Sequence, residues 1–216
     1  MRVWSYVITT DRGSAPNFGP PAVTLTVCKP RIRRSALVGD LVLAFNGRPL
    51  AANPHSVRWA GIVAEVLTLE EYWNDARFRL KRPEHSAVPD NIYRLDQGMW
   101  DQVPNSTHDS GNVKTDIRGA NALIFGKAWY FGATAPELPH NHDLRVTANR
   151  RLEPLRQIGR EEWLELEAWL TAHDIGLPST SALTKRSCGS PAKAPSEDRT
   201  VPAGGCARRA AGSIRC

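Results

Sequence analysis

After Pro178 the apolar periodicity of the chain stops. From Ser179 to Cys216 the sequence is rich in Ser, Pro, Ala, Gly and Arg. Such a stretch cannot bury enough apolar surface to offset the entropy of ordering it, so 179–216 is expected to be a disordered basic tail. Any fold is then built from residues 1–178, the size of one domain. Hydrophobic residues at 41% and charged residues at 23% argue against wholesale disorder. No run of about 18 apolar residues exists, so no membrane span is expected. The N-terminus turns polar at Thr9-Thr10-Asp11, too soon for a signal-peptide core, and the expected compartment is the cytoplasm.

The same boundary divides the charge. Seven of the 28 basic residues and two of the 22 acidic residues fall in the tail, which carries most of the net charge of +6. The remainder is nearly neutral, so a high isoelectric point does not by itself argue that the domain binds nucleic acid. Cys188, Cys206 and Cys216 also lie in the tail, leaving only Cys28 before it. A disulfide framework is excluded, the spacings match no zinc motif, and Cys28 in its apolar run reads as a small buried hydrophobe.

Within 1–178, five β-branched or aromatic runs read as strands: Val3 to Thr9, Ala22 to Cys28, Leu41 to Phe45, Val57 to Leu67 and Ala122 to Phe131. Gly and Pro rule out regular structure between Asp11 and Pro21. Pro30 suits the first turn of a short helix, and Gly39-Asp40 makes a turn into the third strand. Thr68 with Glu71 three residues on forms a capping-box pattern. Lys81 to Gly111 is polar and irregular, and a loop of that length is usually functional or mobile. Glu161 to His173 is the clearest helix, stopped by Gly176-Leu177-Pro178. The pattern predicts an α+β domain: a small, mostly antiparallel sheet or barrel with short helices and a C-terminal helix.

The run Gly39-Asp40-Leu41-Val42-Leu43-Ala44-Phe45, with Gly61-Ile62-Val63-Ala64-Glu65-Val66 and Tyr72-Trp73-Asn74-Asp75, resembles the middle of a PUA-like barrel of the EVE and ASCH kind. A broader set of motifs is more specific. Ser5-Tyr6-Val7, Asp11 to Asn17, Thr26 to Arg34, Val38-Gly39-Asp40, Tyr72 to Asp75, Asp90-Asn91-Ile92-Tyr93 and Tyr130-Phe131-Gly132 together resemble the second type of nucleotide modification associated domain. That resemblance implies a bacterial or phage-associated role tied to modified DNA bases, beside base-modification enzymes. It does not decide between a reader and an enzyme.

Lys29, Arg31, Arg33 and Arg34 are the densest basic cluster of the domain, and in a helix they would form a patch suited to phosphate oxygens. The plainer alternative is a solvated basic turn. Asp11 and Asn17 carry directional groups able to read a base edge, although turn chemistry alone also explains them. Tyr6, Trp59 and Tyr93 are candidate stacking rings, each with core packing as the competing role, and Asn91 joins the base-binding set. His140-Asn141-His142-Asp143 invites a metal or nuclease reading, but the context of such a nuclease is missing, and no metal or cofactor is expected. No nucleophile elbow, P-loop or dinucleotide glycine pattern occurs.

The leading expectation is a module that binds a modified base or nucleotide, with DNA as the favoured polymer. The alternative is an enzyme using Asp11, Asp90 or Asp116 as general base. A reader calls for an aromatic-lined pocket beside Arg33 without converging acids. An enzyme calls for two acids, or an acid and a histidine, brought together there.

Overall fold

The computed structural model describes residues 1–50, 56–133, 136–139, 144 and 156–178. The basic tail and the His140–Asp143 motif lie outside the described residues. Among the described residues, eight strands and four α-helices follow in the order β1 (Arg2–Ile8), β2 (Val23–Leu25), α1 (Pro30–Ser35), β3 (Leu41–Asn46), β4 (Val57–Thr68), α2 (Leu69–Asn74), β5 (Tyr93–Asp96), β6 (Met99–Gln102), α3 (Val113–Ile117), β7 (Asn121–Tyr130), β8 (Arg156–Gln157) and α4 (Arg160–His173).

Six strands form one sheet in the order β2-β7-β4-β3-β1-β8. Among the described residues it does not close, so of the two expected forms the domain takes the sheet and not the barrel. The β1–β3 pair is parallel and the other neighbours are antiparallel. β3 is buried along its whole length because it is covered on both faces. Its alternation sorts the core: Val42 and Ala44 join Trp4, Tyr6, Trp59 and Phe125 on one face. Leu41, Leu43 and Phe45 join Leu166 and Leu170 of α4 on the other. Gly61 is the position in β4 where close approach requires glycine, since a Cβ there would lie 2.7 Å from the Phe125 ring.

The local signals at chain turns correspond to observed structure. Gly39 has φ of 87°, and Asp40 accepts from the Leu37 amide at 2.8 Å and the Trp4 indole at 2.8 Å. Thr68 and Glu71 make the reciprocal capping box at the start of α2. Two expectations need correction. The second strand is only three residues long, because Thr26 to Lys29 leave the sheet. The stretch Lys81–Gly111 contains the β5–β6 hairpin, joined by Gln97 and Gly98 at positive φ. Both strands are exposed or half-buried except at Tyr93, so no buried face marks them in the sequence. Together with α3 this hairpin packs on Val27 and places Tyr93 beside the end of β2.

Candidate functional site

The chain leaves β2 through Thr26 and Val27 and then turns sharply. Cys28 has φ of 57° and Lys29 has φ of 43°, two successive left-handed residues, and Pro30 then opens α1. A left-handed cysteine costs about 1 kcal/mol or more and persists only where its surroundings over-determine it. Here they do. The Cys28 amide donates to Asp116 Oδ1 at 2.6 Å, and its carbonyl accepts from Arg33 Nε at 2.7 Å.

Three reactive side chains converge at this turn. His108 Nε2 lies 3.2 Å from Cys28 Sγ and 3.8 Å from Asp116 Oδ2. The potential ligand atoms of Cys28, His108 and Asp116 all fall within 4.8 Å of one another, and all three residues are buried. Each is held from a different direction. Asp116 sits in α3, and its Oδ2 also accepts from the Tyr93 hydroxyl at 2.9 Å. Tyr93 in turn accepts from Gln102 Nε2 at 3.0 Å. His108 is presented by an Asx turn in which Asn105 Oδ1 accepts from the amides of Thr107 and His108. His108 Nδ1 is buried and meets no hydrogen-bond partner among the described residues.

Arg33 completes the shell from below. Its guanidinium donates to the carbonyls of Cys28, Asn121 and Asp116. Burial lowers its pKa to about 10, against the opposing pull of the Asp116 charge. Burial also pushes the Tyr93 phenol well up, and Asp116 adds to that shift.

The residues singled out in the sequence fall into several environments. Arg33 is fully buried and turns away from solvent, so it is not part of an outward patch. Arg34 is exposed and Arg31 half-buried on α1. Lys29 Nζ lies 4.7 Å from the Tyr6 ring centroid. Tyr6 and Trp59 are buried together, with the Trp59 indole donating to the Tyr6 hydroxyl at 2.9 Å. Burial raises the Tyr6 phenol, against the lowering effect of its hydrogen bond with Trp59.

Asp11 forms a buried ion pair with Arg58. Asn17 donates to the Val88 carbonyl and accepts from the Gly19 amide and the Lys81 ammonium. Asn91 donates to the carbonyls of Tyr72 and Phe78. Asp90, a second candidate base, is buried against Thr24 and Tyr72, and burial raises its pKa. Of the singled-out side chains, Tyr93, Arg33 and the candidate base Asp116 meet at the Cys28 turn, whereas Lys29, although part of the turn, lays its ammonium over Tyr6. Cys28 and His108 belong to that centre, and the sequence does not mark them as functional. Their one signal is that His108 lies in the long polar stretch before α3.

An α+β domain carrying a buried thiol, imidazole and carboxylate at one turn has the parts of a chemical centre and not only of a groove. The chain belongs to the family described as nucleotide modification associated domain 2, whose family model matches residues 1–184. No curated protein and no solved structure matches it. The family name ties the chain to nucleotide modification systems. Among the described residues no helix is long and apolar enough to cross a membrane.

Proposed function

We propose that the chain recognises a modified base or nucleotide, in DNA before other polymers, and acts on it as an enzyme at the Cys28 turn. The observation that carries the enzyme reading is the meeting of His108 and Asp116 with the Cys28 thiol beside Arg33. A passive reader has no need of a strained, buried thiol facing an imidazole, whereas nucleophilic or metal-assisted chemistry does. Recognition is assigned to the surroundings of the turn. Lys29, Arg31 and Arg34 are proposed to meet phosphate oxygens, and base-modification enzymes of the same system are the proposed partners.

The test is incubation of the full chain with nucleotides and DNA carrying ordinary and modified bases, followed by mass spectrometry of the bases. The expected result is a mass change in one modified base that disappears in Cys28→Ala and His108→Ala, both with unchanged melting temperature within a few degrees. Tight binding of a modified base with no mass change, equally tight in Cys28→Ala, would overturn the enzyme reading in favour of a reader.

A further inference from the structure

A Cys–His–Asp set suggests a nucleophile triad, but the distances are those of a different arrangement. In a triad the two ring nitrogens divide the work: one faces the nucleophile and the other faces the acid. Here a single nitrogen, His108 Nε2, faces both Cys28 Sγ at 3.2 Å and Asp116 Oδ2 at 3.8 Å. Nδ1 faces neither. One ring nitrogen placed between a sulfur and a carboxylate oxygen is the arrangement that a shared cation requires.

We infer that Cys28 Sγ, His108 Nε2 and Asp116 Oδ2 bind one divalent cation of the zinc type. Tetrahedral zinc with ordinary bond lengths separates its sulfur, nitrogen and oxygen ligands by about 3.4–3.6 Å. The distances of 3.2 and 3.8 Å from His108 bracket that value, and the sulfur and the carboxylate oxygen lie within 4.8 Å of each other, a set that side-chain adjustment can close on one ion. A mixed sulfur, nitrogen and oxygen set favours zinc over magnesium or calcium, which take oxygen alone. The charges also balance: a thiolate and a carboxylate together match a divalent ion, which would relieve the burial of both. Tyr93 donates to the ligating oxygen of Asp116 and the Cys28 amide holds the other oxygen, the kind of outer support that metal carboxylates receive. Three protein ligands leave a fourth position for water or for a substrate heteroatom. That last role rests on the enzyme reading; binding of the ion does not.

The experiment is titration of the chelator-treated full chain with cobalt(II) as a spectroscopic probe. A sulfur-to-cobalt charge-transfer band that saturates at one ion per chain, and is abolished by added zinc, is the expected result. Cys28→Ser should lose the band and His108→Ala should bind at least tenfold more weakly. Cys28→Ser preserves shape and backbone contacts, so it remains informative where Asp116→Asn unfolds. Zinc should raise the melting temperature of the wild type and not of Cys28→Ser. A missing band, or equal cobalt affinity in wild type and Cys28→Ser, overturns the site. Cobalt binding at the thiol without turnover of any base leaves the metal site standing and removes the enzyme reading. Turnover by metal-free protein, together with a missing cobalt band, does the reverse.

Discussion

Arg33 Nε donates to the carbonyl oxygen of Cys28 at 2.7 Å, so the most deeply buried guanidinium among the described residues holds the backbone on which the thiol sits. The two residues lie on either side of one helical turn. The strained turn at Cys28 and the burial of Arg33 are therefore one construction: the guanidinium leaves water and donates to three carbonyls, of which that of Asp116 also accepts from the Gly119 amide at 3.0 Å.

Arg33→Ala should destabilise the domain by about 3–5 kcal/mol, because three carbonyls lose a charged donor, that of Asp116 keeping the Gly119 amide. Arg33→Lys should recover only part of that loss, since an ammonium lacks the planar fork. Gly119→Ala should behave like a mild form of the same change, because a Cβ there overlaps the guanidinium. Chemical denaturation measures all three. Stability within about 1 kcal/mol of wild type for Arg33→Ala would mean that water replaces the guanidinium.

Lys81 should make the domain more stable in mild alkali. Burial lowers its pKa to about 8, even though the Asp90 charge pulls the other way. Between about 8 and the ordinary 10.5 the unfolded chain holds a proton that the folded chain has released. Stability therefore rises with pH across that window, by about 3 kcal/mol in all. On the acid side Asp90 acts oppositely: its raised pKa favours the folded state while protonated, and that gain is lost as pH rises beyond the ordinary carboxylate range. Urea unfolding at about pH 7 and about pH 9.5, for wild type and Lys81→Met, checks the alkaline window. An equal pH dependence in both proteins would refute it.

The parts of the fold legible in the sequence were those written in local chemistry. The Thr68–Glu71 box, the Gly39 turn and the period of Trp163, Leu166 and Leu170 each act over a few residues, and each is present. The candidate site was legible only in fragments, because its groups lie far apart in the chain: Cys28 and Asp116 are 88 residues apart. Asp116 was one carboxylate among many in polar loops. Cys28 sat in an apolar run that explained it without chemistry. Arg33 looked like its exposed neighbour Arg34, and only the fold decides which arginine of a short helix points inward. Asp11 and Asn17 were visible as directional polar groups, but their partners, Arg58 and Lys81, come from β4 and from the segment after α2.

Asp11→Ala should cost about 3–5 kcal/mol, because it leaves Arg58 charged and buried without its carboxylate. Among the described residues Arg58 then retains the Asn46 side-chain oxygen at 3.4 Å and the face of Tyr130. The double variant Asp11→Ala with Arg58→Met should be less damaging than the sum of the single ones, giving a coupling of about 1–3 kcal/mol. Denaturation of the four proteins closes this cycle. Zero coupling would free Asp11 for the base-reading role its loop suggests.

Asn17 joins the loop after β1 to the buried Lys81, and two substitutions separate its structural part from any part in recognition. Its side-chain oxygen accepts from Lys81 Nζ at 2.8 Å and from the Gly19 amide at 2.9 Å, while its nitrogen donates to the Val88 carbonyl at 2.8 Å. Asn17→Ala removes all three contacts and should cost about 2–4 kcal/mol, mostly by leaving the ammonium short of an acceptor. Asn17→Asp keeps the two accepted bonds and places a carboxylate beside the ammonium. It should raise the Lys81 pKa above about 8 and shift the alkaline stability window upward with it. The Val88 carbonyl loses its donor in both variants, so the difference between them reports the two accepted bonds, and the shift of the alkaline window singles out the Lys81 contact. If instead both variants keep wild-type stability and the same alkaline window, the contact carries no weight. A changed ratio of affinities for modified and ordinary bases in those variants would then assign Asn17 to recognition.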